Sequence, residues 1–404
     1  MCKPKTILAS VGLALSLFCF GPTAMAVPQV TGLRIGEYPS KTRMVLDLTS
    51  PVKFSTFILG QPFRVIVDMT EVTWSRDIIH PPKRGLLVGM RFGLFKPGYS
   101  RIVIDAAGPV RVAKAFMIKP SGKQRLYRLV LDLAKTTRQA FVEDNRRKNF
   151  PVSGLVRPSE KAPSLNKPKV NKRTRKVIMI DPGHGGVDPG AISRSGLWEK
   201  HIVLSFAREL RRQLFLTGKY RVLMTRNVDI FVRLRERIAV ARRADADLFI
   251  SIHADSIKNR KIRGTSVYTL SERASDREAD ALARKENMSD LIAGVDRKEQ
   301  SNEVVNILID LAQRKTMNQS AFFARDLIGE LVKVRKMLRN THRFAGFSVL
   351  KAPDIPSVLV ELGYLSNRED EKMLRDLRQQ RRLATAMTQA IEKYFQRELA
   401  LDMP

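Results

Sequence analysis

The chain has 404 residues, 72 of them basic and 40 acidic, for a formal net charge of +32. That length is ample for two hydrophobic cores, and the charge points to an anionic polymer or membrane surface rather than to a genome. Both cysteines, Cys2 and Cys19, lie in the first 26 residues, which excludes disulfides and thiolate metal ligands from everything that follows.

Residues 1–26 read as a secretory signal. Lys3 and Lys5 precede an apolar run from Ile7 to Phe20, and Ala24-Met25-Ala26 has the small-residue spacing of a cleavage site. The run is too short to span a bilayer comfortably, so no membrane anchor is expected after cleavage. Phe18 stands before Cys19 where a lipoprotein signal has a small residue, so lipidation is not expected.

Residues 27–140 read as a small all-β sandwich. One pattern recurs in Arg43-Met-Val-Leu-Asp47, Arg64-Val-Ile-Val-Asp68, Arg101-Ile-Val-Ile-Asp105 and Arg128-Leu-Val-Leu-Asp132. Strand residues two and four apart share a face, so each segment puts Arg, an apolar residue and Asp on one side and two apolar residues on the other. An outer sheet face with cross-strand charge pairs is the simpler expectation; a ladder of charges facing a ligand is the other. Turns such as Gly60-Gln-Pro62 and Lys96-Pro-Gly98 fit such a sandwich, with internal two-fold repetition. Residues 141–175 then carry Pro151, Pro158, Pro163 and Pro168 among many basic side chains, a solvated and fairly stiff linker.

From 176 to 398 strand-like and helix-like segments alternate, the pattern of an α/β domain with a mostly parallel sheet flanked by helices. Strands are expected at Lys176–Asp181, Arg221–Thr225, Leu248–His253, Thr265–Leu270 and Pro356–Leu362. Helices are expected at Glu199–Thr217, Val232–Ala244 and Arg368–Arg397. The near-continuous apolar strands mark a sheet buried on both faces, and ligands of such sheets gather beyond the carboxyl ends of the strands. His184, His253 and Glu361 all fall there.

Each of these residues has a plain alternative. His184, in Asp181-Pro-Gly-His-Gly-Gly, sits in a sharp glycine turn and could be a polar loop residue. Glu199 starts a helix, where the dipole favours a carboxylate without any metal. His253 could be a hydrogen-bonded core histidine. Glu361 stands in an otherwise apolar strand, where an uncompensated carboxylate is costly. His80, His201 and His342 have no comparable setting. Converging in space, the four would form a metal centre with two imidazoles, one carboxylate, an open position and a base, the minimum for zinc-dependent amide hydrolysis.

Asp181-Pro-Gly-His184-Gly-Gly, Glu199, Ser251-Ile-His253-Ala-Asp255 and Glu361-Leu-Gly-Tyr-Leu-Ser-Asn367 together resemble the catalytic domain of the zinc-dependent N-acetylmuramoyl-L-alanine amidases, over roughly residues 175–398. Residues 28–140 resemble, more diffusely, the AMIN domain that precedes such amidases in Gram-negative bacteria and is thought to target septal peptidoglycan. The resemblance implies one zinc ion held by His184, Glu199 and His253, with Glu361 as catalytic carboxylate. The bond cut would join the lactyl group of N-acetylmuramic acid to L-alanine of the stem peptide. It also implies a periplasmic, septal setting in daughter-cell separation, with peptidoglycan as partner; no nucleic-acid partner is expected, and the chain is expected to be a monomer.

Residues 271–316 exceed what the sheet needs. Glu272 to Glu286 is rich in helix formers, and Asn302–Arg314 is a second amphipathic run. Peripheral decoration is the plain reading. The resemblance implies instead a helix that covers the zinc until an activator with a LytM-type domain displaces it. Glu278 is the first candidate to fill the open position, with Glu272 and Glu286 behind it and Asp255 near enough to join the shell. Three other functions compete: a zinc carboxypeptidase on wall peptides, which would need a carboxylate-binding arginine; a non-catalytic peptidoglycan-binding protein; and a polyanion-binding protein driven by the net charge, which leaves the four motifs unexplained.

Overall fold

The computed structural model describes residues 26–75, 78, 83–147, 175–295 and 307–401, with the backbone alone at 144–147, 307–313 and 401. Residues 1–25 of the expected signal with both cysteines, residues 148–174 of the linker, His80 and the start of the second amphipathic run lie outside these residues.

Among the described residues, nine strands make up the N-terminal part: β1 (Gln29–Tyr38), β2 (Lys41–Leu48), β3 (Phe54–Leu59), β4 (Arg64–Thr70), β5 (Thr73–Trp74), β6 (Leu87–Lys96), β7 (Tyr99–Ala106), β8 (Val110–Ile118) and β9 (Tyr127–Lys135). They form two sheets, ordered β5-β1-β2-β9-β8 and β3-β4-β7-β6. Each repeat of the Arg/Asp pattern lies in a central strand, and its inward residues fill one core: Met44 and Leu46, Val65 and Val67, Ile102 and Ile104, Leu129 and Leu131. On the outward faces the charges pair across strands. Arg43 meets Asp132 at 2.6 Å and Arg128 meets Asp47 at 3.3 Å on the first sheet; Arg101 meets Asp68 and Arg91 meets Asp105, both at 2.6 Å, on the second. A helix, α1 (Arg138–Arg147), crosses the boundary expected at residue 140.

The C-terminal part begins with β10 (Lys176–Pro182), α2 (Glu199–Leu216), β11 (Tyr220–Met224), α3 (Leu234–Arg243), β12 (Leu248–His253) and β13 (Thr265–Leu270). It continues with α4 (Arg277–Glu286), α5 (Ser289–Ile292), α6 (Ile307–Leu331), β14 (Met337–Ala345), β15 (Ser357–Glu361), α7 (Arg368–Arg375) and α8 (Leu377–Leu401). The six strands are ordered β11-β10-β12-β15-β13-β14. The sheet is parallel except where β13 runs against β15.

Strand residues alternate between two cores, as a sheet buried on both faces requires. Ile178, Ile180, Ile250, Ile252, Val358 and Val360 pack with α2, α6 and α8. Val177, Met179, Phe249, Leu359 and Tyr268 pack on the other face, where Ala279, Leu282 and Ala283 of α4 join them.

Two expectations need correction. No strand is expected between Thr265–Leu270 and Pro356–Leu362, but β14 lies there, an edge strand whose mixed residues show no clean apolar alternation. The single helix expected over Arg368–Arg397 is two, broken at Asp376, which has the extended ψ of 113°. The side chain of Asp376 accepts from the Arg378 amide at 2.8 Å and so starts α8.

Candidate metal centre

The sheet brings the four expected residues to one edge. His253 ends β12 and stands in register with Glu361, the last residue of the neighbouring β15. His184 follows β10 by two residues in a left-handed turn, with φ 56°. Glu199 is the first residue of α2. All four are buried.

Glu199 Oε1 lies 3.2 Å from both His184 Nε2 and His253 Nδ1. Its carboxylate is also fixed by the backbone: the Ala191 amide donates to Oε2 and the Ala254 amide to Oε1, each at 2.8 Å. Two glycines admit this crowding. A Cβ on Gly190 would meet Glu199 Oε2 and His184 Cδ2 at 2.6 Å, and one on Gly183 would run into the His253 ring.

The fourth group at the imidazoles comes from the inserted segment. Glu286 Oε2 lies 3.3 Å from both His184 Nε2 and His253 Nδ1, and the ligand atoms of His184, His253 and Glu286 lie within 4.8 Å of one another. The structure reverses the order expected among the three glutamates. Glu278 is exposed, 3.7 Å from Arg343, and Glu272 is exposed before the helix starts. The reason is helical period: Ala279, Leu282, Ala283 and Glu286 share the buried stripe of α4, and Glu278 falls off it.

The donor set suits a metal. His184 Nε2 and His253 Nδ1 are buried and have no hydrogen-bond partner, although each faces two carboxylate oxygens. Leaving such atoms unpaired is costly. Two imidazoles with carboxylate oxygens form the nitrogen and oxygen set that zinc accepts.

Charges reinforce the arrangement. Burial would lower the His184 pKa, but Glu199, Asp188 and Glu286 outweigh it and hold it well above its ordinary value. The Glu199 carboxyl lies well below its usual range, the two imidazoles overcoming its burial. Glu361 is displaced the other way: burial, then the charges of Asp255 and Glu199, push it well above the carboxylate range. Glu361 Oε2 accepts from the Asp255 amide at 3.0 Å, and Oε1 has no partner. Asp255 thus steadies Glu361 through its backbone, while its own carboxylate pairs with Lys285 of α4.

Asp188 escaped the sequence reading. Its carboxylate lies 3.0 Å from His184 Nδ1 and accepts from Ser289 Oγ at 2.5 Å. It therefore orients the ring so that Nε2 faces the centre. A carboxylate four residues after a histidine in a tight loop was the available signal. Beneath the loop, Arg237 donates to Asp181 Oδ1 and to the His184 carbonyl, both at 2.7 Å. Of the other described histidines, His201 stacks on Trp198 and His342 meets Thr269, both away from the centre.

The segment carrying Glu286 is braced from the N-terminal part. Arg64 donates to the Leu291 carbonyl, Arg91 to that of Ile292 at 3.3 Å, and Arg101 to those of Ala293 and Gly294 at 3.2 and 3.1 Å. Ile66 and Val103, the apolar residues between the charges, pack with Val187, Phe231, Ala293 and Val295. With Glu286 in place, the cavity lined by His184, His253 and Glu286 measures about 10 Å³, room for one water at most.

Comparison with known proteins gives the family. The Amidase_3 family, N-acetylmuramoyl-L-alanine amidase, matches residues 178–393. The chain is 35% identical over 402 residues to N-acetylmuramoyl-L-alanine amidase AmiC of Neisseria meningitidis serogroup B, covering 94% of each protein. It is 34% identical over 388 residues to AmiC of Escherichia coli O6:H1, covering 92% of this chain and 90% of that one. With AmiA of Escherichia coli K12 it shares 39% identity over 233 residues, 57% of this chain and 80% of that protein. The chain belongs to the Amidase_3 family and is an N-acetylmuramoyl-L-alanine amidase, a hydrolase of peptidoglycan.

Proposed function

We propose that this amidase is a zinc enzyme held inactive by its own inserted helix. The observation that carries the proposal is the meeting of two unpartnered imidazole nitrogens with Glu199 and Glu286 in a buried centre. His184, His253 and Glu199 would hold the metal. When bound, zinc supplies Lewis acidity toward the scissile carbonyl and makes a water molecule more acidic. Glu361 takes the proton of the attacking water and delivers it to the nitrogen of the leaving L-alanine. The Asp255 amide holds one Glu361 oxygen and leaves the other for that proton. Asp188 and Arg237 keep the His184 loop in place.

Glu286 faces the same two imidazole nitrogens as Glu199 and so stands where a substrate would have to approach them. Its docking rests on Ser289 with Asp188, Lys285 with Asp255, and the three arginines of the β sandwich. Activation therefore consists of drawing α4 and α5 away, and a LytM-domain protein is the proposed agent. The place of action is the periplasm, at the division septum, where the AMIN-like sandwich (27–140) targets the wall and the zinc amidase domain (176–398) splits it between daughter cells. Among the described residues no helix is long and apolar enough to cross a membrane.

The test is made on purified sacculi, with products read by mass spectrometry. The expected products are free stem peptides and unsubstituted glycan; activity is lost on chelation and restored by zinc. Glu361→Gln retains zinc and loses at least a hundredfold in turnover, the scale of general acid–base catalysis. Wild-type turnover in that variant would remove Glu361 from the role.

A further inference from the structure

The competing carboxypeptidase reading asked for a carboxylate-binding arginine, and the amidase has one that its mechanism does not use. Arg343, on the edge strand β14, is 7% exposed. Its Nε donates to Asp276 Oδ2 at 3.0 Å, its Nη2 to Asp276 Oδ1, and its Nη1 to the Tyr268 hydroxyl at 3.1 Å. Nε and Nη2 thus grip one carboxylate in the fork geometry that guanidinium groups favour. Asp276 is the N-cap of α4, the helix that carries Glu286.

A cavity of about 180 Å³ opens beside this pair, lined in part by Asp255, Tyr268, Arg339, Arg343 and Tyr364. It adjoins the catalytic edge of the sheet. Ser266 is in register with Glu361, and Tyr268, two residues on, is in register with Arg343. Arg343 is therefore two strands across and two residues along from Glu361, roughly 12 Å from strand spacing and rise. An extended peptide covers that distance in about three to four residues, and side chains on both partners shorten it. A peptide running three to four residues beyond the scissile amide ends in a free carboxylate at this remove.

We propose that Arg343, with Tyr268 and the adjoining cavity, is a subsite for a carboxylate of the stem peptide, which Asp276 fills as an internal stand-in while α4 is docked. This rests on the reading of α4 as a removable helix. Withdrawing α4 then frees the metal centre and the guanidinium together, since Glu286 and Asp276 leave on the same helix.

The test compares two soluble muramyl peptides, one with free acids and one with the same carboxylates converted to primary amides, on the full-length chain. Wild type, Glu286→Ala, Arg343→Gln, Arg343→Lys and Asp276→Asn are assayed. The expected preference in kcat/KM for the free acid is on the order of tenfold, as one charge-assisted pair gives. It falls to about one in Arg343→Gln, partly survives in Arg343→Lys, and in Asp276→Asn the KM for the free acid alone decreases. An unchanged preference in Arg343→Gln overturns the subsite, and a raised basal rate in the same variant then leaves Arg343 only its tie to α4. Should Arg343→Gln not fold, Asp276→Asn decides, because equal KM changes for both peptides also overturn the subsite. The basal rate of Glu286→Ala reads the removable helix separately, and the acid-to-amide ratio is read on the wild type whatever that rate is.

Discussion

Glu199 and Glu286 reach the same two imidazole nitrogens at nearly the same distance, 3.2 and 3.3 Å, but they are held in different ways. Glu199 opens α2, whose apolar side enters the main core, and both its oxygens accept backbone amides. Glu286 closes α4, a ten-residue helix on the other face of the sheet; one of its oxygens has no partner. Their protonation separates them further. Glu199 is held well below the carboxylate range, whereas burial, outweighing the two imidazoles, raises Glu286. The difference teaches that distance to a centre does not define a ligand. What the carboxylate is anchored to decides whether it belongs to the metal permanently or can leave.

The largest expected effect comes from removing the anchored partner. Glu199→Ala should lose more than a hundredfold in zinc affinity, beyond the 10- to 100-fold typical of outer-shell losses, and all measurable amide hydrolysis. Metal content by mass spectrometry and turnover of sacculi check this; full zinc loading in that variant would break the comparison.

A smaller change, in the opposite direction, is expected at the brace. Arg101→Ala removes two hydrogen bonds to the Ala293 and Gly294 carbonyls, each worth about 0.5–1 kcal/mol net. Basal hydrolysis should rise about tenfold with zinc content unchanged. A rate equal to wild type would detach the β sandwich from the control of α4.

The smallest effect is one of pH. Asp276 lies at about 2, since Arg343 and the Ala279 amide outweigh its burial. A carboxylate depressed in the folded state stabilises above its unfolded pKa, near 4, and that contribution disappears as pH falls toward 2. Amide-exchange protection of α4 should therefore fall between pH 4 and 2 before that of α2. The difference should shrink in Asp276→Asn; simultaneous loss in both helices would show that the clasp does not matter.

Much of this was legible in the residues. Apolar runs such as Leu248–Ile252 marked buried parallel strands, and the chemistry-bearing residues stood at their ends, where a sheet of this kind gathers its ligands. The repeating Arg/Asp pattern gave the two faces of the sandwich strands. Sequence could not say that one outward face would meet the catalytic part while its twin would not, because both present the same residues. β14 was hidden because Met337–Ala345 alternates poorly, and Arg343 with it. The placement of Glu286 was available in principle. The stripe Ala279, Leu282, Ala283 predicts the next buried position as 286, and Glu278 falls off it.

The central claim is that Glu286 closes a complete metal centre rather than completing it. The most direct measurement is zinc stoichiometry together with stem-peptide release from sacculi for full-length Glu286→Ala beside the wild type. The account predicts one zinc per chain in both and a basal rate at least tenfold higher in the variant, the scale of about 1.4 kcal/mol in occupancy of the docked helix. Loss of zinc together with loss of activity would make Glu286 a permanent ligand and contradict it.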